Sequence, residues 1–256
     1  MRTPAVFFGH GNPMNALATN EYTRAWAAIG ASIEKPRAIL MISAHWFMPG
    51  VAVTAMERPK TIHDFGGFPP ELYRVRYPAS GDPALAARVG ELLGPSTRAD
   101  SDWGLDHGAW SVLCHAYPDA QVPVVQLCID ETQPPQFHYD LGRRLAPLRD
   151  EGVLIAGSGN IVHNLHAYAW GKHPARPFDW AVRFETRVRE LLVSGEHGPL
   201  IDYESLGENA MLSVPTPEHY LPLLYVIATR RAEERVTFPV EGVDGGSISM
   251  LSVRVG

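Results

Sequence analysis

Four short runs of almost unbroken apolar residues constrain this chain more than any other feature: 5–8 (AVFF), 38–43 (AILMIS), 122–127 (VPVVQL) and 153–156 (VLIA). A strand with one wet face alternates apolar with polar residues. A strand buried on both faces does not, and such strands belong to parallel sheets covered by helices on each side. Two further runs, 51–54 and 248–253, complete six expected strands. Amphipathic stretches at 21–33, 83–93, 108–116, 137–148, 179–194 and 217–229 lie between them. Asp106 and Thr216 stand where N-caps would start the third and the last of these helices. The alternation predicts an α/β fold, a single domain over residues 1–256 with a mostly parallel central sheet flanked by helices.

Composition narrows the function. The chain has 256 residues, 45% of them hydrophobic, enough to bury a large core without staples. A net charge of −6, with no basic run longer than a pair such as Arg230-Arg231, argues against a nucleic-acid partner. No run approaches the ~20 apolar residues of a membrane helix. Cys114 and Cys128 have neither metal-type spacing nor a disulfide pattern and read as small buried hydrophobes in a reducing setting. The apolar run near the amino terminus is too short for a signal peptide, so a cytoplasmic location is expected. Nothing in the sequence bears on oligomeric state.

The histidines are the compositional oddity: eleven, against 22 Lys+Arg. The run 5–8 ends in Gly9-His10-Gly11-Asn12, the run 38–43 in Ala44-His45-Trp46, and the run 153–156 in Gly157-Ser158-Gly159-Asn160 with His163 just beyond. In open α/β sheets, ligand sites form outside the carboxyl ends of the strands, and three strands each deliver a histidine there. His219 in VPTPEHYLPLLY and His107 in WGLDHGAW stand at two expected helix starts, beside Glu218 and Asp106. His63, His115, His138, His166, His173 and His197 have no comparable setting and read as surface or packing residues. A histidine-rich site without cysteine suits zinc, iron or a similar divalent metal, in a catalytic rather than a structural site. Two-metal hydrolases add bridging carboxylates, and none stands at the strand ends beside His10 or His45, which favours one metal. Metal-dependent hydrolysis and oxygen chemistry both stay open at this point. The connection 57–82 is long for a compact domain and reads as functional, whereas 171–177 reads as a plain surface loop. The GSGN turn lacks both the lysine of a Walker motif and GxGxxG spacing.

The segments FFGHGNPMNAL, ILMISAHW, TIHDFGGFPPELYRVRYPASGDP, WGLDHGAWSVL, GSGNIVHNL and VPTPEHYLPLLYV carry a resemblance. Running in this order from residue 7 to 226, they resemble the class III extradiol ring-cleaving dioxygenases, in the branch of 4,5-DOPA dioxygenase-like proteins. The resemblance implies one divalent metal held by His10, His45 and His219, with Fe(II) expected for activity and Zn(II) a further ion such a site binds. It implies His163 as the acid–base residue, close enough to serve as a fourth ligand. Better-studied relatives use two histidines and a glutamate; here His219 takes that place, with Glu218 adjacent. The implied substrates are a small aromatic diol, a catechol with a DOPA-like compound among the options, and O₂. His163 would take a diol proton and return it as the ring opens, and His107 would hydrogen-bond oxygen or substrate. Phe65, Phe68 and Tyr73 would wall the pocket, Gly66-Gly67 would give the loop a flexible point, and Arg74 or Arg76 would meet a substrate carboxylate. A zinc-dependent hydrolase on the same histidines is the alternative.

Overall fold

The computed structural model describes residues 2–172 and 174–256, so His173 lies outside the described residues. Its strands are β1 (Ala5–Gly9), β2 (Ala38–Met48), β3 (Ala52–Thr54), β4 (Arg98–Asp100), β5 (Val124–Asp130), β6 (Val153–Gly159), β7 (Val236–Val240), β8 (Val243–Asp244), β9 (Ile248–Ser249) and β10 (Ser252–Val255). Eight of them form one sheet in the order β4-β3-β5-β2-β6-β1-β10-β7, and β8 pairs with β9 in a separate hairpin. The four centre strands, β5, β2, β6 and β1, are mutually parallel, and antiparallel strands extend both sides. This is the α/β architecture with a mostly parallel sheet that the apolar runs predict.

Period two along the strands explains the layering. Ala5 and Phe7 point into one core while Val6 and Phe8 point into the other. Helices Pro83–Leu93, Pro135–Leu145, Asp179–Ser194 and Leu221–Ala228 cover the first face; Glu21–Ser32 and His107–Ala116 cover the second. All seven residues of β5 and of β6 are buried, as a doubly covered strand requires. Helices 83–93 and 179–194 coincide with their expected limits.

Three expectations need correction. The run 248–253 is not one strand: Met250 donates to Gly242 O at 2.8 Å, and the chain leaves the β8 hairpin to enter β10. The last helix starts at Leu221 rather than at 217, and Thr216 does not cap it; its hydroxyl donates to the Glu218 carboxylate at 2.8 Å. Pro222 is the reason, because proline is tolerated in a first helical turn but not in an interior where its N–H would be needed. His219 therefore sits in the turn before that helix. Finally, two edge strands are additional to those expected: β4, whose sequence RAD is almost wholly polar, and β7, VTFPV, where Pro239 interrupts an otherwise strand-like run.

Asp106 caps the helix His107–Ala116 as expected, accepting from Ala109 N at 3.1 Å. The connection 57–82 contains one short helix, Pro70–Tyr73, and Trp110 Nε1 holds it to the body by donating to Ile62 O at 2.8 Å. Cys114 and Cys128 are unpaired, and burial pushes both thiols up to about 12. Among the described residues no helix is long and apolar enough to cross a membrane.

Candidate active site

β1, β6 and β2 run side by side: His10 follows β1, and Gly157-Ser158-Gly159 close β6 with Asn160 just beyond. His45 lies within β2 at the irregularity between Ile42 and Phe47, since β2 runs on to Met48 rather than ending at residue 43 as expected. The backbone fixes their relation: His10 N donates to Gly159 O at 3.1 Å. The turn's glycine is a matter of clearance, since a Cβ on Gly159 would lie 2.1 Å from His219 O. Asn160 N closes the contact by donating to that same carbonyl at 2.9 Å. Rather than cradling phosphate, the GSGN turn clamps the His219 segment onto the sheet edge.

The structure brings all five singled-out histidines together. The ring centroids of His10, His45 and His219 form a nearly equilateral triangle, 5.0, 5.4 and 5.1 Å on a side. The His163 ring stacks on His219 at 3.5 Å, and His107 lies 3.7 Å from His45. Two groups of possible ligand atoms result, His10 with His45 and His107, and His163 with Glu218 and His219.

Hydrogen bonds decide which ring nitrogens are bare. The Ser158 hydroxyl donates to Gly108 O at 2.6 Å, so toward His10 Nδ1, 3.0 Å away, it can only accept. His10 therefore carries its proton on Nδ1 and leaves Nε2 as a lone pair. By the same logic His219 Nδ1 donates to Glu218 Oε1 at 3.1 Å, and His107 Nδ1 to Asp64 Oδ2 at 2.8 Å. His45 turns Nδ1 toward the same Asp64 oxygen at 3.6 Å, and its Nε2 meets His10 Nε2 at 3.2 Å. With His10 Nε2 bare, His45 Nε2 donates to it in one tautomer, and in the other both nitrogens face a shared cation. The separation matches two nitrogens each about 2.1 Å from one ion, so the residues fit a metal.

Burial keeps these rings neutral. It holds His10 and His45 well below the ordinary histidine value, with the neighbouring histidines adding to the effect, and it lowers His219 as well. His163 is brought down to about 2 by burial and then by His219. Burial alone would raise Glu218, but hydrogen bonds, first from His219 and then from Thr216, outweigh it and bring it down to about 2. Asp64 is lowered in the same way, its burial outweighed by His107, whose backbone N–H also donates to it at 2.8 Å. Asp106 is pushed up to about 6 by burial and by Asp64.

These groups open into a cavity of about 460 Å³, within the range of small-ligand sites. Phe65, Phe68, Leu165, Trp170 and Ile248 supply its apolar walls. Tyr73 does not line it, contrary to expectation, but packs behind Phe65 at 5.2 Å. Arg74 and Arg76 are not at the cavity either: Arg74 pairs with Glu71 at 2.8 Å, and Arg76 donates to Tyr73 O and Val75 O at 2.9 Å. A larger hollow of about 530 Å³ beside helix Glu21–Ser32 lies away from the histidine cluster and holds only His115, whose Nε2 lies 2.8 Å from Asn15 O. Sequence reasoning missed Asp64, the carboxylate that serves two histidines, and also Tyr168 and Asp244. Asp64 had a signal, since it stands in the long connection already read as functional.

Comparison with known proteins places this geometry. Residues 10–233 match the family model described as the catalytic LigB subunit of aromatic ring-opening dioxygenase. A 4,5-DOPA dioxygenase extradiol of Escherichia coli (strain K12) is 51% identical, covering 100% of this chain and 95% of the relative. A protein of the same name from Beta vulgaris is 37% identical, covering 97% and 94%. The crystal structure of the uncharacterized protein JW3007 from Escherichia coli K12 superposes with a TM-score of 0.87 at 47% identity over 100% of both chains. These relationships select an extradiol ring-cleaving oxidoreductase and do not favour the hydrolase that the same histidines would suit. With most of its length matched and its relatives so similar, the chain belongs to the LigB family of metal-dependent aromatic ring-opening dioxygenases.

Proposed function

We propose that His10, His45 and His219 hold one divalent metal ion, with His163 beside it, and that the chain there opens a catechol-type ring outside its diol using O₂. The observation that carries this assignment is the triangle of three imidazoles, two of them turned by Ser158 and Glu218 so that Nε2 is the free nitrogen. Fe(II) is the ion expected to support turnover, and Zn(II) suits the same donors. When bound, the metal supplies the Lewis acidity that lowers the proton affinity of a diol oxygen.

The remaining work falls to the chain's own residues. His163 makes no side-chain hydrogen bond among the described residues, and burial keeps its ring neutral, so a ring nitrogen is bare and can meet a diol proton that the metal would have made acidic. The same residue returns that proton to the opened product. His107, held from behind by Asp64, presents its other nitrogen as a hydrogen-bonding group for substrate or oxygen. Phe65 and Phe68 meet edge to face at 5.2 Å and give the ring an apolar wall that excludes water. A DOPA-like catechol is the proposed substrate type, as the names of the relatives suggest.

Anaerobic reconstitution with Fe(II), then addition of catechols and air, should consume O₂ and give a yellow ring-opened product. No O₂ uptake over a broad catechol panel overturns the reading. His163→Ala should lower turnover by about 100-fold or more while the metal content stays. Equal loss of both would make His163 a ligand instead.

A further inference from the structure

We propose that Asp244 selects catechols whose ring carries an arm ending in a positively charged amine, a specificity that rests on the ring-opening reading of this site. Asp244 is the only carboxylate among the described residues that line the cavity, and no lysine or arginine lines it. Asp64 and Glu218 are already committed to histidines. Among the described residues the Asp244 carboxylate has no cationic partner, and its one hydrogen bond comes from the Tyr168 hydroxyl at 2.9 Å. An anion without a counter-ion, in a pocket whose other lining groups, Asn12 and Tyr168 included, carry no opposite charge, attracts a cation and repels a carboxylate.

Its position suits the far end of such a substrate. His163 bridges Ile248, and Ile248 pairs in turn with Asp244 across the β8–β9 hairpin. Residues directly opposite in antiparallel pairs share a face, and each step spans about 5 Å, so Asp244 stands roughly 10 Å from His163 along that face. The diol is therefore held at one end and the arm reaches the other.

The site is also built to stay in place. Burial, then the hydrogen bond to Asp244 and its charge, raises the Tyr168 hydroxyl above its ordinary pKa, so it remains a donor. Gly245 has φ +54°, and a Cβ there would lie 2.0 Å from the Tyr168 ring, so the ring can rest on the turn only because this residue is glycine. The Trp170 ring lies 4.6 Å from Tyr168 at the mouth and offers an aromatic face to a passing cation.

The test uses the metal-loaded protein and three catechols that bear an aminoethyl, an ethyl or a carboxyethyl arm at the same ring position. Both kcat/KM and binding without O₂ are measured. The parent protein should rank the amine first and the carboxylate last. Asp244→Asn keeps the size and an acceptor for Tyr168, and should cut the amine-to-ethyl preference by about 10- to 100-fold, the range of a hydrogen bond to a charged group. Asp244→Lys should invert the ranking. Asp244→Asn lowering all three substrates alike, or leaving the amine preference intact, overturns the proposal. Amine binding that depends on Asp244 without O₂ uptake on any of the three would sink the ring-opening reading and keep this one.

Discussion

Replacing Ser158 by alanine removes one oxygen and should uncouple His10 from the metal. Ser158 is fully buried in β6, paired with Phe8 on one side and Ser43 on the other, so alanine fits without repacking. What disappears is the acceptor 3.0 Å from His10 Nδ1, together with the donor to Gly108 O at 2.6 Å. The His10 ring is itself buried, so water cannot replace that acceptor, and an unsatisfied buried donor costs about 1–3 kcal/mol of stability. The metal affinity should fall further, because the proton is no longer fixed on Nδ1 and Nε2 is no longer aimed. Loss of such a partner typically weakens metal binding by about 10- to 100-fold. Competition against a coloured chelator reads the affinity, and urea unfolding of the metal-free protein reads the stability. A stability loss with unchanged affinity would refute the idea that Ser158 orients a ligand; the serine would then serve only the buried Gly108 carbonyl.

Two more outcomes follow from the same geometry. Gly159→Ala places a Cβ 2.1 Å from His219 O, so the His219 turn must lift from the sheet; stability should drop by about 1–3 kcal/mol and bound metal with it, both measurable on one purified sample. In the metal-free protein His10, His45, His163 and His219 all have pKa values below the unfolded value of 6.5. Their contribution is complete above that value and is lost as pH falls below it, because the unfolded chain takes up protons that the folded one refuses. Urea midpoints should therefore fall from about pH 8 to about pH 5, with a slope approaching 1.4 kcal/mol per pH unit for each such histidine. A flat profile would mean that these rings are not buried as neutral groups.

Much of the fold was legible because burial on both faces leaves a mark no loop imitates. The runs at 5–8, 38–43 and 153–156 are the inner strands, and the residue following each is where the chemistry begins. Legibility failed where tertiary contacts override the local pattern. β7 alternates in burial along VTFPV, but Pro239 within it reads against a strand, and 248–253 reads as one mostly apolar run although Met250 breaks away to Gly242. The cap assigned to Thr216 failed because proximity to an apolar run says where a helix is possible, whereas Pro222 says where it can begin.

The site divides in the same way. Histidines announce themselves by residue type and by the strand ends that carry them. Their partners do not: Asp64 stands in a connection with no regular pattern, and no spacing rule foretells that it reaches both His107 and His45. Yet those partners decide the chemistry. Without Ser158 and Glu218, each imidazole would be free to carry its proton on either nitrogen, and three rings at strand ends would be a cluster rather than a set of donors. Because the sheet fixes Ser158 and the GSGN segment fixes His219, the Nε2 lone pairs of His10 and His219 are committed by hydrogen bonds on the far side of each ring. The β8–β9 hairpin lies outside this sheet, so Asp244 stands apart from His10, His45 and His219, and it meets the metal site through the Ile248 bridge to His163.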